Sequence, residues 1–472
     1  LSLDMLTDAL KTLPEDFEAL QKNHPGLVLV LAPSGVMLRL FSPWATGMDL
    51  PPDWHTVRDP YGFSLIVGLV IKETCFLIMA LSAALSQVPA GDLLRQASTL
   101  GYGTLKGWAV AVAPRLQRQL GLPTAAVLAY GLGNVDLALT LGPDLPPTFA
   151  VVLWRWLLDT TPDIQAQAHA GTLVLLGLTL AALLAVALLG RAARAALSTV
   201  AGSGRRRVAD HWLRRAVVAL SAIGLALGLL SMLAILLRSA AGPWRFPSLL
   251  PTGLSLSSWA DALPAAGQTL RTTAGLAAIT AIVAVVAVLP AAEAVRDRPA
   301  ARTRLGQWLF VPLLLPQMTF LFGIQVLLVR AHIDGTWFAV AWMHLIFALP
   351  YVWGVLAPAR AALDTRLVQV AATLGATPAQ AWRRVTLPLL TRATLLAAAL
   401  GMSVSLALYL PTLFAGAGRV STAATEAAAA AGSGSLRLAA VHAILLTLGP
   451  LLAFALAYAL GAALFRHRRD VP

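Results

Sequence analysis

Long apolar runs separated by short polar segments dominate the hydrophobic pattern of this chain. Most runs reach about 20 residues, the length that a helix needs to cross the hydrocarbon core of a bilayer. None shows the alternation of polar and apolar residues that is typical of a membrane β-strand. The pattern therefore predicts an all-α polytopic membrane protein with about ten transmembrane helices. The predicted spans are 25–42 (weak, interrupted by Pro33 and Gly35), 62–87, 120–142, 170–190, 214–237, 269–290, 307–329, 337–357, 393–415 and 439–464.

The composition agrees with a membrane protein. Of the 472 residues, 58% are hydrophobic and only 12% are charged, too few charges to cover a water-soluble surface. The single cysteine, Cys75, excludes an internal disulfide and a cysteine-based metal cluster. His332 and His344 have no metal-ligand spacing with other His, Cys or carboxylates, so we expect core or loop roles for them. There is no phosphate-binding loop of the Walker type and no catalytic constellation, so we predict no enzyme activity and no cofactor.

The net charge of +13 comes from arginines and lysines that collect in particular loops. When the predicted spans are threaded in order, the richest segments all fall on one side of the membrane. They are 88–119, 191–215, 291–306, 358–392 and the C-terminal tail. The positive-inside rule makes this side, and the C-terminus, cytoplasmic. Because topology explains the charge, we expect no nucleic-acid partner.

An internal repeat underlies the chain. Residues 93–118 and 367–392 align without a gap at an offset of 274 positions. The least accidental matches are Gly101/Gly375, Trp108/Trp382, Pro114/Pro388 and Arg118/Arg392. Both copies fall on the cytoplasmic side, which indicates two parallel tandem repeats.

The repeat predicts three segments along the chain. Residues 1–190 form the first half, residues 191–213 a basic cytoplasmic linker, and residues 214–472 the second half. Two spans of the second half have no counterpart in the first. We therefore expect the first repeat to lack its N-terminal hairpin, as in a chain that is truncated or starts late.

The repeated segment resembles the cytoplasmic loop of inner-membrane permeases from binding-protein-dependent ABC importers, with the pattern E-A-A-x-x-x-G-(nine residues)-I-x-L-P. Neither copy keeps the leading acid of this pattern. The second copy matches with Gln369, Ala371, Gly375, Val385, Leu387 and Pro388. The first copy is degraded and offers Arg95, Ala97, Gly101 and Pro114, with Ala111 and Ala113 at the aliphatic positions.

The resemblance covers almost the whole chain and is to fused permeases of the thiamine and ferric-iron type. It implies a multi-pass protein of the bacterial cytoplasmic (inner) membrane that forms the substrate pathway of an importer. It also implies two partners besides the lipid bilayer: a cytoplasmic ABC ATPase, which is a dimer in such importers, and a periplasmic substrate-binding protein. The coupling loops, about 93–118 and 367–392, would dock in the ATPase.

The second coupling loop has a physically sensible helix–turn–helix pattern. Residues 365–374 and 378–386 can form two short helices, and Gly375 supplies the turn between them. Pro378 suits the first turn of the second helix. Pro388 is expected to end that helix where the next span begins.

Four polar residues within predicted spans are candidates for the translocation path. Lys72 and Glu73 lie near the middle of one span, where ionisable groups are costly and usually face a bundle interior or water. A structural contact between helices would explain them equally well. Asn134 and Asp136 have leucines at the matching positions of the second copy, so they could form an asymmetric substrate site. For Asp136, simple solvation near the periplasmic end is the favoured interpretation.

A secondary transporter with parallel repeats is the alternative function. It would need buried acids at matching positions of both repeats for a coupling ion. Glu73 is matched by Phe347 in the second copy, which argues against this alternative.

Overall fold

The computed structural model describes residues 25–54, 56–85, 88–159, 161–202, 211–432 and 435–464. Over these residues the regular structure is helical, apart from two isolated β-bridges. The prediction of an all-α polytopic membrane protein is confirmed. The chain divides into two compact units, the first running to Leu254 with Leu313–Thr319, the second comprising Ser255–Pro312 and the residues from Phe320 onward.

Ten of the described helices belong to the first unit. They are α1 Pro25–Leu31, α2 Val36–Phe41, α3 Phe63–Leu85, α4 Ala90–Thr99, α5 Thr104–Gly107, α6 Ala113–Leu132, α7 Asp136–Leu141, α8 Phe149–Leu158, α9 Pro162–Gly202 and α10 His211–Ser239. A π-helical turn, Trp108–Val112, joins α5 to α6. Small and aliphatic residues of α3, of this turn and of the start of α6 form a local core that includes Ala84, Val112 and Leu116.

The remaining helices belong to the second unit, except that the ends of α12 and α13 that meet each other are assigned to the first unit. They are α11 Ser257–Ala294, α12 Pro299–Leu314, α13 Gln317–Arg330, α14 Trp337–Ala362, α15 Thr365–Thr373, α16 Pro378–Ala381, α17 Leu387–Ala407, α18 Leu410–Gly416, α19 Ala423–Gly432 and α20 Leu436–Leu464. A second π-helical turn, Trp382–Thr386, joins α16 to α17. Helices α11, α14 and α17 share a core of small and aliphatic residues, which lets membrane helices approach closely.

Six described helices are long and apolar enough to cross a membrane, and the pair α12 and α13 makes a seventh if it counts as one span. The expected ten spans are therefore not confirmed. Predicted span 25–42 is two short helices on either side of the Pro33 and Gly35 break. Predicted span 307–329 is bent by 95° between α12 and α13. The bend lies at Leu315 and Pro316, because a residue that precedes proline is disfavoured in the α conformation.

Two further predicted spans are broken rather than continuous. In 120–142 the helix stops at Leu132 and restarts at Asp136, and in 393–415 it stops at Ala407 and restarts at Leu410. Gly133 marks the first break, where a Cβ would lie only 3.0 Å from the backbone nitrogen of Gln317. At the second break Leu408 leaves the helix with an extended ψ of 97°.

Several helices of the first half recur in the second half 274 positions later, the same offset at which the two sequence segments match. The two π-helical turns begin at Trp108 and Trp382, and the restarted helices α7 and α18 begin at Asp136 and Leu410, each pair 274 positions apart. Helices α8 and α19 match at both ends with this offset. The local duplication thus extends well beyond the two matched segments.

Candidate functional site

The segment predicted to be the second coupling loop, residues 364–392 and here named the second coupling segment after that prediction, folds as the sequence predicts up to its last helix. Helix α15 is followed by Gly375 with a φ of 82°, in the left-handed region that favours glycine. The Gly375 N–H donates to the Ala372 carbonyl at 3.0 Å, and the Ala376 N–H donates to the Ala371 carbonyl at 3.0 Å. These two hydrogen bonds form a Schellman ending of the helix.

The first coupling segment, residues 90–118, repeats this ending after α4. Gly101 has a φ of 83°. The Gly101 N–H donates to the Ser98 carbonyl at 2.9 Å, and the Tyr102 N–H donates to the Ala97 carbonyl at 3.0 Å. Each of these atoms lies 274 positions before its counterpart, so both segments share one backbone turn.

The second helix of the loop begins as predicted but does not end at proline. Thr377 caps α16, its hydroxyl accepting from the Gln380 N–H while the Gln380 side chain accepts from the Thr377 N–H, with Pro378 at the first helical position. The helix then continues through the π-helical turn into α17, and Pro388 lies in the first turn of α17. The expectation that Pro388 ends the helix is wrong. A π turn places an extra residue before the proline, which cannot donate a hydrogen bond to the preceding turn.

An apolar stripe runs along helix α15 to its C-cap residue Leu374, and only Val370 of the stripe falls at a position of the family pattern, the first alanine. Leu367, Val370 and Leu374 are 47%, 56% and 81% exposed and follow the i, i+3, i+7 spacing of one helix face. In the sequence, this spacing is the one feature by which the stripe could have been predicted. Of the predicted site residues, Gln369 and Gly375 are exposed and Ala371 is partly buried.

The remaining predicted residues of the second segment lie nearer the membrane helices. Val385 and Pro388 are partly buried, and Leu387 is 36% exposed. They therefore present less surface than the apolar stripe does.

The first coupling segment presents a more polar face. At the positions of the stripe it has Leu93, Gln96 and Leu100, of which Leu100 is 59% exposed. Arg95 is exposed and forms an ion pair with Asp92 at 2.5 Å, one turn away on the same helix.

The other predicted residues of the first segment hold the loop together. Ala97 is buried, and a Cβ placed on Gly107 would lie 3.3 Å from the Ala97 Cβ, so α4 and α5 touch through small residues. Pro114 is partly buried in the first turn of α6.

A charged cluster in the first unit consists of Lys72 and Glu73 on α3 and Asp136 on α7, beside Tyr130 of α6. Lys72 is exposed on α3, its ammonium group lies 4.3 Å from the ring centroid of Tyr130, and it donates a hydrogen bond to the Tyr130 hydroxyl. Its charge also interacts with those of Asp136 and Glu73. The structure thus brings Lys72, Glu73 and Asp136 into one electrostatic group.

Asn134 has a local role at the break before α7. Its side-chain oxygen accepts from the Leu137 N–H at 2.8 Å, while its buried amide nitrogen Nδ2 has no hydrogen-bond partner. Asp136 follows as the first residue of α7 and is only partly exposed.

A neutral network occupies the corresponding helices of the second unit. His344 on α14 is 1% exposed and contacts the Ser405 hydroxyl through Nδ1 at 2.8 Å and the Thr412 hydroxyl through Nε2 at 2.9 Å. The Thr412 hydroxyl donates to the Leu408 carbonyl, so it accepts from His344 Nε2–H. His344 Nδ1 then accepts from Ser405. The core role expected for His344 is confirmed.

The base of the second coupling segment contains a buried ion pair that no sequence pattern indicated. Arg360, in the last turn of α14, is 2% exposed and donates from Nε and Nη2 to both carboxylate oxygens of Glu293 at the end of α11. Arg296, which is partly exposed, donates from Nη1 to the same carboxylate at 2.5 Å.

Comparison with known proteins agrees with this architecture. No family model matches the chain. The chain is 30% identical over 419 residues to the inner membrane ABC transporter permease protein YnjC of Escherichia coli (strain K12). The alignment covers 89% of this chain and 76% of the relative. With this identity, this coverage and its set of apolar helices, the chain belongs to the inner-membrane ABC transporter permeases.

Proposed function

We propose that this permease forms the translocation pathway of an ABC importer and couples through both coupling segments to a separate cytoplasmic ATPase dimer. A periplasmic binding protein delivers the cargo. The observation that carries the proposal is the apolar stripe of α15, held beside a left-handed glycine turn that both segments share. The two permease halves are residues 1–190 and 214–472, joined by the basic linker 191–213.

The stripe supports docking because its three apolar side chains are exposed. Fully burying a leucine or valine side chain stabilises a complex by roughly 1.5–3 kcal/mol. An amphipathic helix with apolar residues at i, i+3 and i+7 is the usual element that docks into a groove on a partner. The sequence has no phosphate-binding loop, so ATP hydrolysis is assigned to that partner.

Lys72 supports a translocation path through the first unit. It is exposed near the middle of α3, and a lysine at the centre of a membrane helix costs roughly 2.5–3.5 kcal/mol when it faces lipid. A water-filled path removes that cost. Glu73 and Asp136 interact with the Lys72 charge, and Asn134 contributes an unpartnered amide donor close to Asp136 in the chain.

The proposed orientation places the C-terminus and both coupling segments in the cytoplasm. The test uses single cysteines in a Cys75→Ser background. Thr373→Cys in the second segment is to be shielded from an impermeant maleimide in intact cells, and Ser248→Cys, which is exposed between α10 and α11, is to react. The opposite labelling pattern would contradict the orientation.

The main experiment co-purifies the chain with the ABC ATPase and the binding protein encoded beside it, and then identifies the ligand retained by the binding protein by mass spectrometry. We expect a complex that hydrolyses ATP faster when the loaded binding protein is added. A chain that binds no ATPase in detergent or in nanodiscs would overturn the coupling proposal.

A further inference from the structure

The ends of α11 and α14 are joined beside the start of the second coupling segment. Arg360 lies in the last turn of α14, and only Leu363 and Asp364 separate that helix from α15. Asp364 caps α15 by accepting from the Arg366 N–H at 2.9 Å. The connection from Arg360 to the apolar stripe is therefore short and ordered.

The ion pair that holds this connection is unusually well enclosed. The Arg360 side chain is 3% exposed and that of Glu293 is 28% exposed. Arg360 Nη2 donates to Glu293 Oε1 at 3.0 Å and Arg360 Nε donates to Oε2, the two-pronged geometry that only arginine offers a carboxylate. Arg296 adds a second donor to Oε1, and its Nε donates to Asp297 at 2.8 Å.

Burying a paired charge is a poor way to gain stability, because desolvation offsets much of the attraction. A pair of apolar residues could fill the same space. A buried pair is better suited to fixing one register between two helices, since any other register leaves a charge unpaired.

We propose that Glu293 and Arg360 form a clamp that makes α11 and α14 move together with the second coupling helix. Both are positioning residues: neither contacts nucleotide or cargo, and they act by transmitting the displacement of the docked helix α15. This inference rests on the proposed function of that segment as the ATPase contact.

The arginine of the clamp is not repeated in the first half of the sequence. At the offset of 274 positions Arg360 corresponds to Ser86, which lies outside the described residues and whose side chain carries no charge. The sequence therefore does not repeat this arginine–carboxylate pair beside the first coupling segment.

The test compares ATPase affinity with ATP turnover in nanodiscs that contain the chain and its adjacent ATPase. Glu293→Gln and Arg360→Gln are expected to lower kcat for ATP about tenfold, while KM for ATP and the Kd of the ATPase for the permease change less than about twofold. The matched control is Arg296→Gln, which removes the less buried of the two arginine donors to the same carboxylate and is expected to change kcat less than about twofold. The swap Glu293→Arg with Arg360→Glu is expected to restore at least a third of the wild-type kcat.

The outcomes separate the clamp from the proposed function. Wild-type chain that fails to bind the ATPase overturns both. Normal binding with wild-type kcat in both single variants overturns the clamp alone, and so does a folded swap that restores nothing. If the single variants do not fold, Arg360→Lys, which keeps the charge and loses the two-pronged contact, takes their place. A wild-type kcat in that variant contradicts the clamp, and a several-fold loss at unchanged Kd supports it.

Discussion

The two coupling segments have one backbone and two different outer faces. Gly101 and Gly375 adopt the same left-handed φ within 1°, and the hydrogen bonds around them correspond atom for atom. The side chains that project from this common turn have diverged. Helix α15 exposes the apolar stripe, whereas α4 has Gln96 in the middle of the same face.

The divergence shows which features the duplication keeps. A turn that needs a positive φ tolerates little except glycine, so it persists in both copies. Surface side chains can change without unfolding the loop, so they adapt to whatever each copy contacts. We therefore expect the two copies to bind the partner with unequal strength.

The largest expected effect distinguishes the outer faces. Leu374→Ala removes the most exposed member of the stripe and should weaken ATPase affinity roughly 10- to 100-fold, since a buried leucine contributes roughly 1.5–3 kcal/mol. Leu100→Ala is the matched change in the first segment and should cost less than about tenfold, because Gln96 interrupts the face. Titration of purified ATPase onto permease in nanodiscs measures both. An equal or larger loss for Leu100→Ala would mean that apolar area does not set the affinity.

The second comparison concerns two polar side chains on matching helices, His344 on α14 and Lys72 on α3. His344 is enclosed by two hydroxyls, whereas Lys72 is exposed beside Tyr130. His344→Leu leaves the buried Ser405 hydroxyl without an acceptor and should lower the free energy of unfolding by about 1–3 kcal/mol. Thermal unfolding in detergent measures the change.

Lys72→Leu is the contrasting variant for the exposed charge. It should leave stability within about 0.5 kcal/mol of wild type, because Lys72 is exposed and its hydrogen bond to the Tyr130 hydroxyl is exposed as well. If Lys72→Leu lowers the melting temperature as much as His344→Leu does, then Lys72 is a structural contact and not part of a path.

The sequence predicted the coupling turns well because they depend on local chemistry. Gly375, Thr377 and Pro378 each act on their own backbone or on residues within one turn, so their positions can be read from the sequence. At the break after Ala407, Pro411 marks the start of the next helix, but nothing in the sequence marks Leu408 as the residue where the first helix ends. It lies next to the His344 network, which joins residues 61 and 68 positions apart, and such contacts leave no periodic signal.

The ion pair between Glu293 and Arg360 was missed for the same reason, since 67 positions separate its partners. The apolar stripe was missed although its spacing is visible, because the family pattern includes only Val370 of its three residues and leaves Leu367 and Leu374 unspecified. The count of ten spans is not confirmed, because several apolar runs are not straight helices. Runs 120–142 and 393–415, for example, are each broken within.

A third expectation tests the part that the segments share. Gly101→Val and Gly375→Val should each disfavour the turn by about 1–2 kcal/mol, because a β-carbon resists the left-handed conformation. Space is not the cause at Gly375, where an added β-carbon would meet nothing within 4 Å. Each segment makes its own contribution to ATPase affinity. The two glycine variants should remove similar fractions of these contributions, whereas the two leucine variants should not. Expression and melting temperature should stay near wild type, and a collapse of either would place these glycines in the fold and not in docking.

The smallest expected effect concerns the matched helices α3 and α14, whose starts at Phe63 and Trp337 lie 274 positions apart. Asp59 caps α3 by accepting from the N–H groups of Phe63 and Ser64 at 2.7 and 2.9 Å, whereas the neutral Thr336 hydroxyl caps α14. Burial raises the pKa of Asp59, but the hydrogen bonds from Ser64 and Phe63 outweigh it and hold the pKa below its usual value. The cap therefore contributes stability above the unfolded-state pKa of about 3.9, and that stability is lost as the pH falls through the lower folded-state pKa.

Asp59→Ala should cost about 1 kcal/mol at neutral pH, a typical value for a lost cap, and the difference from wild type should vanish in acid. Thr336→Ala should cost a similar amount at every pH, because a hydroxyl does not titrate in this range. Melting temperatures of the two variants and the wild type between about pH 3 and pH 7 would show it. A cost of Asp59→Ala that is constant over this range would mean that the carboxylate is not what stabilises the start of α3.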